Sequence, residues 1–183
     1  MSTAVSDPTT VKYERQFDLL DADGDAIVTW SDYQKLVDRF VGSYGISKDD
    51  RRARALQAGY QMAWLELLRH SGSDGDRLTK DQFVAASRLA VVDTSRLNVV
   101  EGLAHAMFDL IDSNYDNEVD KEEFHTYVTK VWRVDSPEAM EAFVRLDTDG
   151  DGCISRSEFI RAQREYYFSN DPDAAGSLLF GTI

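Results

Sequence analysis

The strongest chemical signal in the chain lies in residues 147–158, which read Asp-Thr-Asp-Gly-Asp-Gly-Cys-Ile-Ser-Arg-Ser-Glu. Asp147, Asp149 and Asp151 present carboxylates at alternate positions, and Glu158 closes the run. Carboxylates held this close repel one another by about 1 kcal/mol per pair even in water. A hard divalent cation resolves that repulsion. The pattern D-x-[DN]-x-[DN]-G, with glutamate at the twelfth place, is the spacing that wraps roughly six to eight oxygens round calcium. Here the Cys153 carbonyl supplies the seventh-place oxygen, Ser155 can hold a water or bind directly, and Glu158 can offer both carboxylate oxygens.

Two further stretches carry the same ligands with substitutions. Residues 112–123 supply Asp112, Asn114, Asp116, the Glu118 carbonyl, Asp120 and Glu123, with Asn117 where glycine is usual. Asparagine is, after glycine, the residue most tolerant of positive φ, so the turn should survive. Residues 21–32 supply Asp21, Asp23, Asp25, the Ile27 carbonyl and Asp32, with Ala26 at the glycine place. A left-handed alanine costs about 1 kcal/mol. Asp32 is one methylene shorter than glutamate, which contracts the site and opens it to magnesium. A fourth stretch, residues 71–82, has Ser71, Ser73, Gly75 and Gln82 at the ligand places. None of these carries a negative charge, so this loop should bind no calcium and serve as a brace.

The elements that position these loops follow from an apolar frame repeated around each of them. Four residues before each loop stand Phe17, Leu67, Phe108 and Phe143, and directly after each stand Tyr33, Phe83, Phe124 and Phe159. Each loop should therefore join two helices that bury these side chains. Aliphatic residues late in the loops suit a short antiparallel contact, predicted to pair Ile27 with Leu78 and Val119 with Ile154. Ser47 and Asp50 can cap a long helix running to about Arg69. Ser136, Pro137 and Glu138 supply a further helix start. The spacing of Trp64, Leu65, Leu68, Phe83, Ala86, Leu89 and Ala90 reads as ordinary helical core.

Whole-chain properties narrow the function classes. Of 183 residues, 43% are hydrophobic, enough for a globular core. A formal charge of −13 repels phosphate backbones and anionic surfaces, so neither nucleic acid nor a membrane is an expected partner. No apolar run is long enough to span a bilayer. A lone cysteine, Cys153, and a start without a secretory pattern make the cytoplasm the expected compartment. His70, His105 and His125 are scattered and lack recognisable catalytic partners, so no enzyme is expected.

With the loops in place, the chain resembles the sarcoplasmic calcium-binding protein and calerythrin family of four-EF-hand proteins. The resemblance rests on loop starts separated by 50, 41 and 35 residues, on Asp32 at the twelfth place, and on the degenerate second loop. It extends to the tail Tyr166-Tyr167-Phe168-Ser169-Asn170-Asp171-Pro172 and beyond. It implies an all-α fold of two paired EF-hand modules packed into one globule, with short β contacts between paired loops. Residues 11–92 would form the first pair, 93–168 the second, and 169–183 a tail folded over the core, where Leu178, Leu179, Phe180 and Ile183 need cover. The expected function is a monomeric calcium buffer holding three Ca2+ ions, with Mg2+ admitted at the first loop. The alternatives are a sensor that opens a partner-binding surface, disfavoured by the scarcity of methionines (Met62, Met107, Met140), and a carrier of an apolar ligand among Trp30, Trp64 and Trp132.

Overall fold

Every loop is flanked by two helices whose buried aromatic residues meet those of the neighbouring loop. The computed structural model describes residues 7–92, 95–134 and 137–180. α1 (Pro8–Leu20) and α2 (Trp30–Ser43) flank the first loop, α3 (Arg51–Ser71) and α4 (Lys80–Val92) the second. α5 (Ser95–Ile111) and α6 (Lys121–Thr126) flank the third, α7 (Pro137–Leu146) and α8 (Arg156–Phe168) the fourth. Phe17, ahead of the first loop, packs edge-on against Phe83, which follows the second, at 5.7 Å between ring centroids. Phe108 meets Phe159 in the same way at 5.9 Å, and Phe143 meets Phe124 at 5.6 Å. Each such pair adds about 0.5–1.5 kcal/mol beyond its burial.

Short strands join the loops two by two: β1 (Ile27–Thr29) runs antiparallel to β2 (Arg77–Thr79), and β3 (Glu118–Val119) to β4 (Ile154–Ser155). Val119 stands opposite Ile154, but Leu78 faces Val28, while Ile27 faces Thr79. The expected pairing of Ile27 with Leu78 is therefore one residue out of register. Side chains alternate across a strand, so the step decides which aliphatic is buried. Val28 and Leu78 are fully buried, and Ile27 is only half-buried.

The helix ends follow capping chemistry with one revision. Asp50, not Ser47, caps α3, its carboxylate accepting from the Arg52 amide at 2.8 Å, while Ser47 Oγ accepts from the Asp49 amide one turn earlier. Ser136, proposed as the cap of α7, lies outside the described residues. Leu65 and Leu89, read as core from their spacing, are both more than half exposed, because each helix buries a narrower stripe than the pattern allowed. After α6 the backbone widens into a π-helical stretch, Tyr127–Val131.

One contiguous apolar cluster runs through both loop pairs. α3 packs on α5, and Phe40 of α2 touches Tyr127 at 6.0 Å. Tyr44 Oη, just past α2, donates to the Glu123 carbonyl at 3.0 Å. The tail then closes the bundle. A 3-10 turn at Ala175–Leu178 lies against α7 and α8, and Phe180 inserts between Trp132 (4.5 Å) and Tyr166 (4.9 Å). Leu179 is fully buried beside it and Leu178 half-buried, while Ile183 lies outside the described residues.

Lys12 ties α1 to this tail. Its side chain is wholly buried, and Nζ donates to the carbonyls of Glu165 (3.0 Å) and Ser169 (2.6 Å) and to Ser177 Oγ (3.4 Å). These are carbonyls at the end of α8, where a cation also meets the negative pole of the helix. Burial nonetheless lowers the Lys12 pKa to about 8. Among the described residues no helix is long and apolar enough to cross a membrane.

Candidate metal centre

The fourth loop gathers its acids tightly. One carboxylate oxygen from each of Asp147, Asp149 and Asp151 lies within 4.8 Å of the others. Main-chain amides hold the cluster together. Asp147 Oδ1 accepts from Gly150 (2.8 Å) and Asp151 (3.1 Å), and Oδ2 accepts from Gly152 (2.9 Å). That turn needs positive φ at Gly150 (73°) and Gly152 (91°). Asp151 Oδ1 accepts from the Cys153 amide at 2.9 Å.

Glu158 closes the loop and starts the next helix at once. Its Oε2 accepts from the Ser155 amide and hydroxyl, and the Ser155 hydroxyl accepts in turn from the Glu158 amide, a capping box. Its Oε1 reaches across the loop to the amide (2.8 Å) and hydroxyl (2.6 Å) of Thr148. Burial opposes ionisation here, but the hydrogen bonds from Thr148 and Ser155 outweigh it and hold the carboxyl down to about 2. Glu158 is thus an ionised, buried, two-oxygen donor at the closing position. Partial burial, with the Glu118 carboxylate next, pushes the Cys153 thiol up to about 11. Its sulfur stays protonated, leaving the carbonyl as this residue's donor.

The third loop repeats the arrangement. Asp112 is buried and accepts from the amides of Asp116 (3.2 Å) and Asn117 (3.0 Å). Asn114 Oδ1 accepts from Asp116, and Asp116 Oδ1 from Glu118. Glu123 Oε1 reaches the amide and hydroxyl of Ser113, both at 2.8 Å, and Oε2 takes the Asp120 amide. Asn117 adopts φ of 66°, the left-handed state its side chain tolerates; Tyr115 also sits at 65°. Asp120 Oδ1 accepts from the Glu123 amide and so caps α6.

The first loop differs at its closing end. Asp21 binds the amides of Gly24, Asp25 and Ala26 as Asp147 does its counterparts, and its oxygens cluster with those of Asp23 and Asp25. Ala26 holds φ of 64°, a strained conformation for a residue with a Cβ. Asp32 Oδ2 accepts from the Thr29 amide and hydroxyl. Its second oxygen does not cross the loop: the Ala22 amide donates to Leu20 instead, and Asp32 Oδ1 accepts from Lys35 Nζ at 3.0 Å. The same ammonium binds Asp23 Oδ2 at 2.8 Å.

In the second loop Ser71 Oγ donates to the Leu68 carbonyl and accepts from the Ser73 amide, Ser73 Oγ accepts from Gly75, and Gln82 Oε1 takes the Thr79 amide. The side chains at its ligand places, Ser71, Ser73 and Gln82, are spent on its own backbone. The sequence reading missed Ser113, Thr148 and Lys35. A hydroxyl at the second place of both glutamate-closed loops, and alanine there where aspartate closes, was the available signal for the first two.

Comparison with known proteins agrees with this geometry. The family profile described as an EF-hand domain pair matches residues 101–164. Calerythrin of Saccharopolyspora erythraea is 24% identical over 173 residues, covering 92% of this chain and 95% of that protein. A Streptomyces coelicolor calcium-binding protein, solved as a structural basis for prokaryotic calcium-mediated regulation, shares the fold at a TM-score of 0.75 and 24% identity, over 89% of this chain and 99% of that one. The Ca-loaded apo form of coelenterazine-binding protein from Renilla muelleri gives a TM-score of 0.68 at 19% identity over 96% of both chains. Oxygen-only donor sets at matching spacing, paired helix-loop-helix units and this similarity together make the chain a calcium-binding EF-hand protein, similar to calerythrin over nearly its whole length.

Proposed function

We propose that the protein is a monomeric cytoplasmic calcium buffer that loads three ions and has no catalytic role. In this reading Asp21, Asp23, Asp25, Asp32 and the Ile27 carbonyl hold the first ion. Asp112, Asn114, Asp116, Glu123 and the Glu118 carbonyl hold the second, and Asp147, Asp149, Asp151, Glu158 and the Cys153 carbonyl the third. The shorter Asp32, already shared with Lys35, makes the first loop the one that tolerates magnesium, whose octahedron needs only six oxygens. Three divalent ions would bring the formal charge from −13 to about −7, easing the repulsion that opposes a compact state.

The observation that carries buffering over sensing is the sealed aromatic core. A sensor must open a groove, yet Phe180 and Leu179 fill the space beside Trp132 and Tyr166, and Met107 is buried beneath the hydroxyls of Tyr60 and Tyr127, each 3.8 Å from its sulfur. The same packing weighs against a carrier. The apolar hollow between Tyr33, Tyr60, Leu67, Phe83 and Leu103 has a volume of about 20 Å³, roughly that of one water and far below the ~300 Å³ of a ligand pocket.

Calorimetric calcium titration, with and without magnesium and beside a hydrophobic dye, tests the proposal. Three sites, magnesium competition at one of them and unchanged dye fluorescence are expected. Fewer than two sites would overturn the metal assignment. A large calcium-induced rise in dye binding would make the protein a sensor, and a copurifying apolar molecule would make it a carrier.

A further inference from the structure

Beside the first loop lies an open hollow of about 250 Å³ walled by Ala22, Asp23, Lys35, Arg39 and Arg133. Three of these five side chains are cationic, in a chain with 33 acids against 20 bases. Several basic residues elsewhere pair with carboxylates: Lys48 with Asp38, Arg52 with Asp50, Lys80 with Asp18, Arg156 with Asp109. Arg39 does not. Its Nε and one terminal nitrogen are buried without a hydrogen-bond partner, and among the described residues neither Arg39 nor Arg133 makes an ion pair. Burial and then the Arg133 charge disfavour the Arg39 guanidinium more than Tyr60 and Asp32 support it. Arg133 reaches its place from a left-handed backbone, φ 58°, after the π-helical stretch. Both guanidiniums line this one open hollow, and a planar fork of N–H donors matches the geometry of an oxyanion.

We propose that this hollow binds a small tetrahedral oxyanion of the sulfate or phosphate class, held by Arg39 and Arg133 with Lys35 at its rim. The volume accommodates such an ion with several waters, at ~30 Å³ each. Lys35 links the hollow to the loop, since its ammonium bridges Asp23 and Asp32. An anion that draws Lys35 towards itself frees those two carboxylates for a divalent cation, and a cation in the loop releases Lys35 to the anion. Binding of the two is therefore positively coupled, and the coupling is reciprocal. The site itself stands whether or not the first loop takes calcium.

The test is a sodium sulfate titration of the full chain, chelator-treated and calcium-saturated in turn, followed by NMR at the Arg39 Nε–H and the Ala22 and Asp23 amides. Sodium chloride at matched ionic strength is the control. A saturable shift with a millimolar midpoint is expected, lost in Arg39→Met and at least tenfold weaker in Arg133→Gln, an exposed position where folding is not at risk. A shift that chloride reproduces, or one that survives both substitutions, would overturn the site. In calorimetry, 5- to 10-fold tighter calcium binding at one loop in ~10 mM sulfate is expected, and unchanged affinity would overturn the role given to Lys35.

Discussion

Substituting Gly176 by alanine should loosen the tail, and the size of the effect can be worked out. Gly176 does not have a left-handed φ, so backbone strain plays no part, and its amide donates to Glu165 Oε2 at 2.8 Å. A Cβ added there would lie 2.1 Å from the Ala162 carbonyl oxygen and 2.7 Å from Glu165 Cβ. The first of these is helix backbone and cannot rotate away. Overpacking of this kind costs about 1–3 kcal/mol, and a contact so short belongs at the upper end. Releasing the tail instead would expose Leu179 and Phe180, at about 1.5–3 kcal/mol each, so strain and partial release compete at similar cost. Alanine also stabilises by about 0.4–1 kcal/mol through the unfolded chain. The net loss is about 2 kcal/mol, which at this chain length lowers Tm by about 4–8 °C. Calorimetry of the calcium-loaded variant measures the melting shift, and dye fluorescence reports newly exposed faces of Trp132 and Tyr166. An unchanged or higher Tm would refute the close approach of the tail to α8.

Three further outcomes are expected. Ala26→Gly removes a left-handed alanine, partly offset by the freer unfolded chain, and should stabilise the protein by about 0.5 kcal/mol in denaturant titration, while Asn117→Gly gains less, because asparagine tolerates its φ of 66°. Glu158→Gln removes the ionised closing ligand of the fourth loop and should reduce calorimetric stoichiometry from three calcium ions to two at micromolar calcium. Lys12 has a lowered pKa when folded, so its charge is penalised below about 8 and the unfolded chain keeps the proton up to its usual 10.5. Wild type should therefore gain stability relative to Lys12→Met as pH rises from about 8 to 10.5, followed by urea unfolding at stepped pH; a constant difference would show that the burial of Lys12 is misjudged.

Much of the candidate site was legible because metal loops write their ligands locally: alternate acids, the turn residue and the closing acid all fall within twelve positions. The aromatic frame was legible for a similar reason, since helix periodicity fixes which residue faces inward. Features that depend on distant chain were not. Ile27 and Val28 are both aliphatic, so only the partner strand decides that Val28 meets Leu78. Lys12 reads as surface charge on α1 until Glu165, Ser169 and Ser177 are brought to its ammonium from more than 150 residues away. Lys35, fourteen residues past Asp21, becomes part of the first loop only when α2 turns it back over the carboxylates.

Tyr44 gives the molecule an internal wire. It stands at the exit of the helix that leaves the first loop, and its hydroxyl grips the main chain of the residue that closes the third. The bond ties the main chain at that closing glutamate to the first half of the molecule, a link that crosses from one loop pair to the other. Fragments cut between α4 and α5 would each lose this rung, so loading curves measured on separate halves will not add up to the curve of the whole.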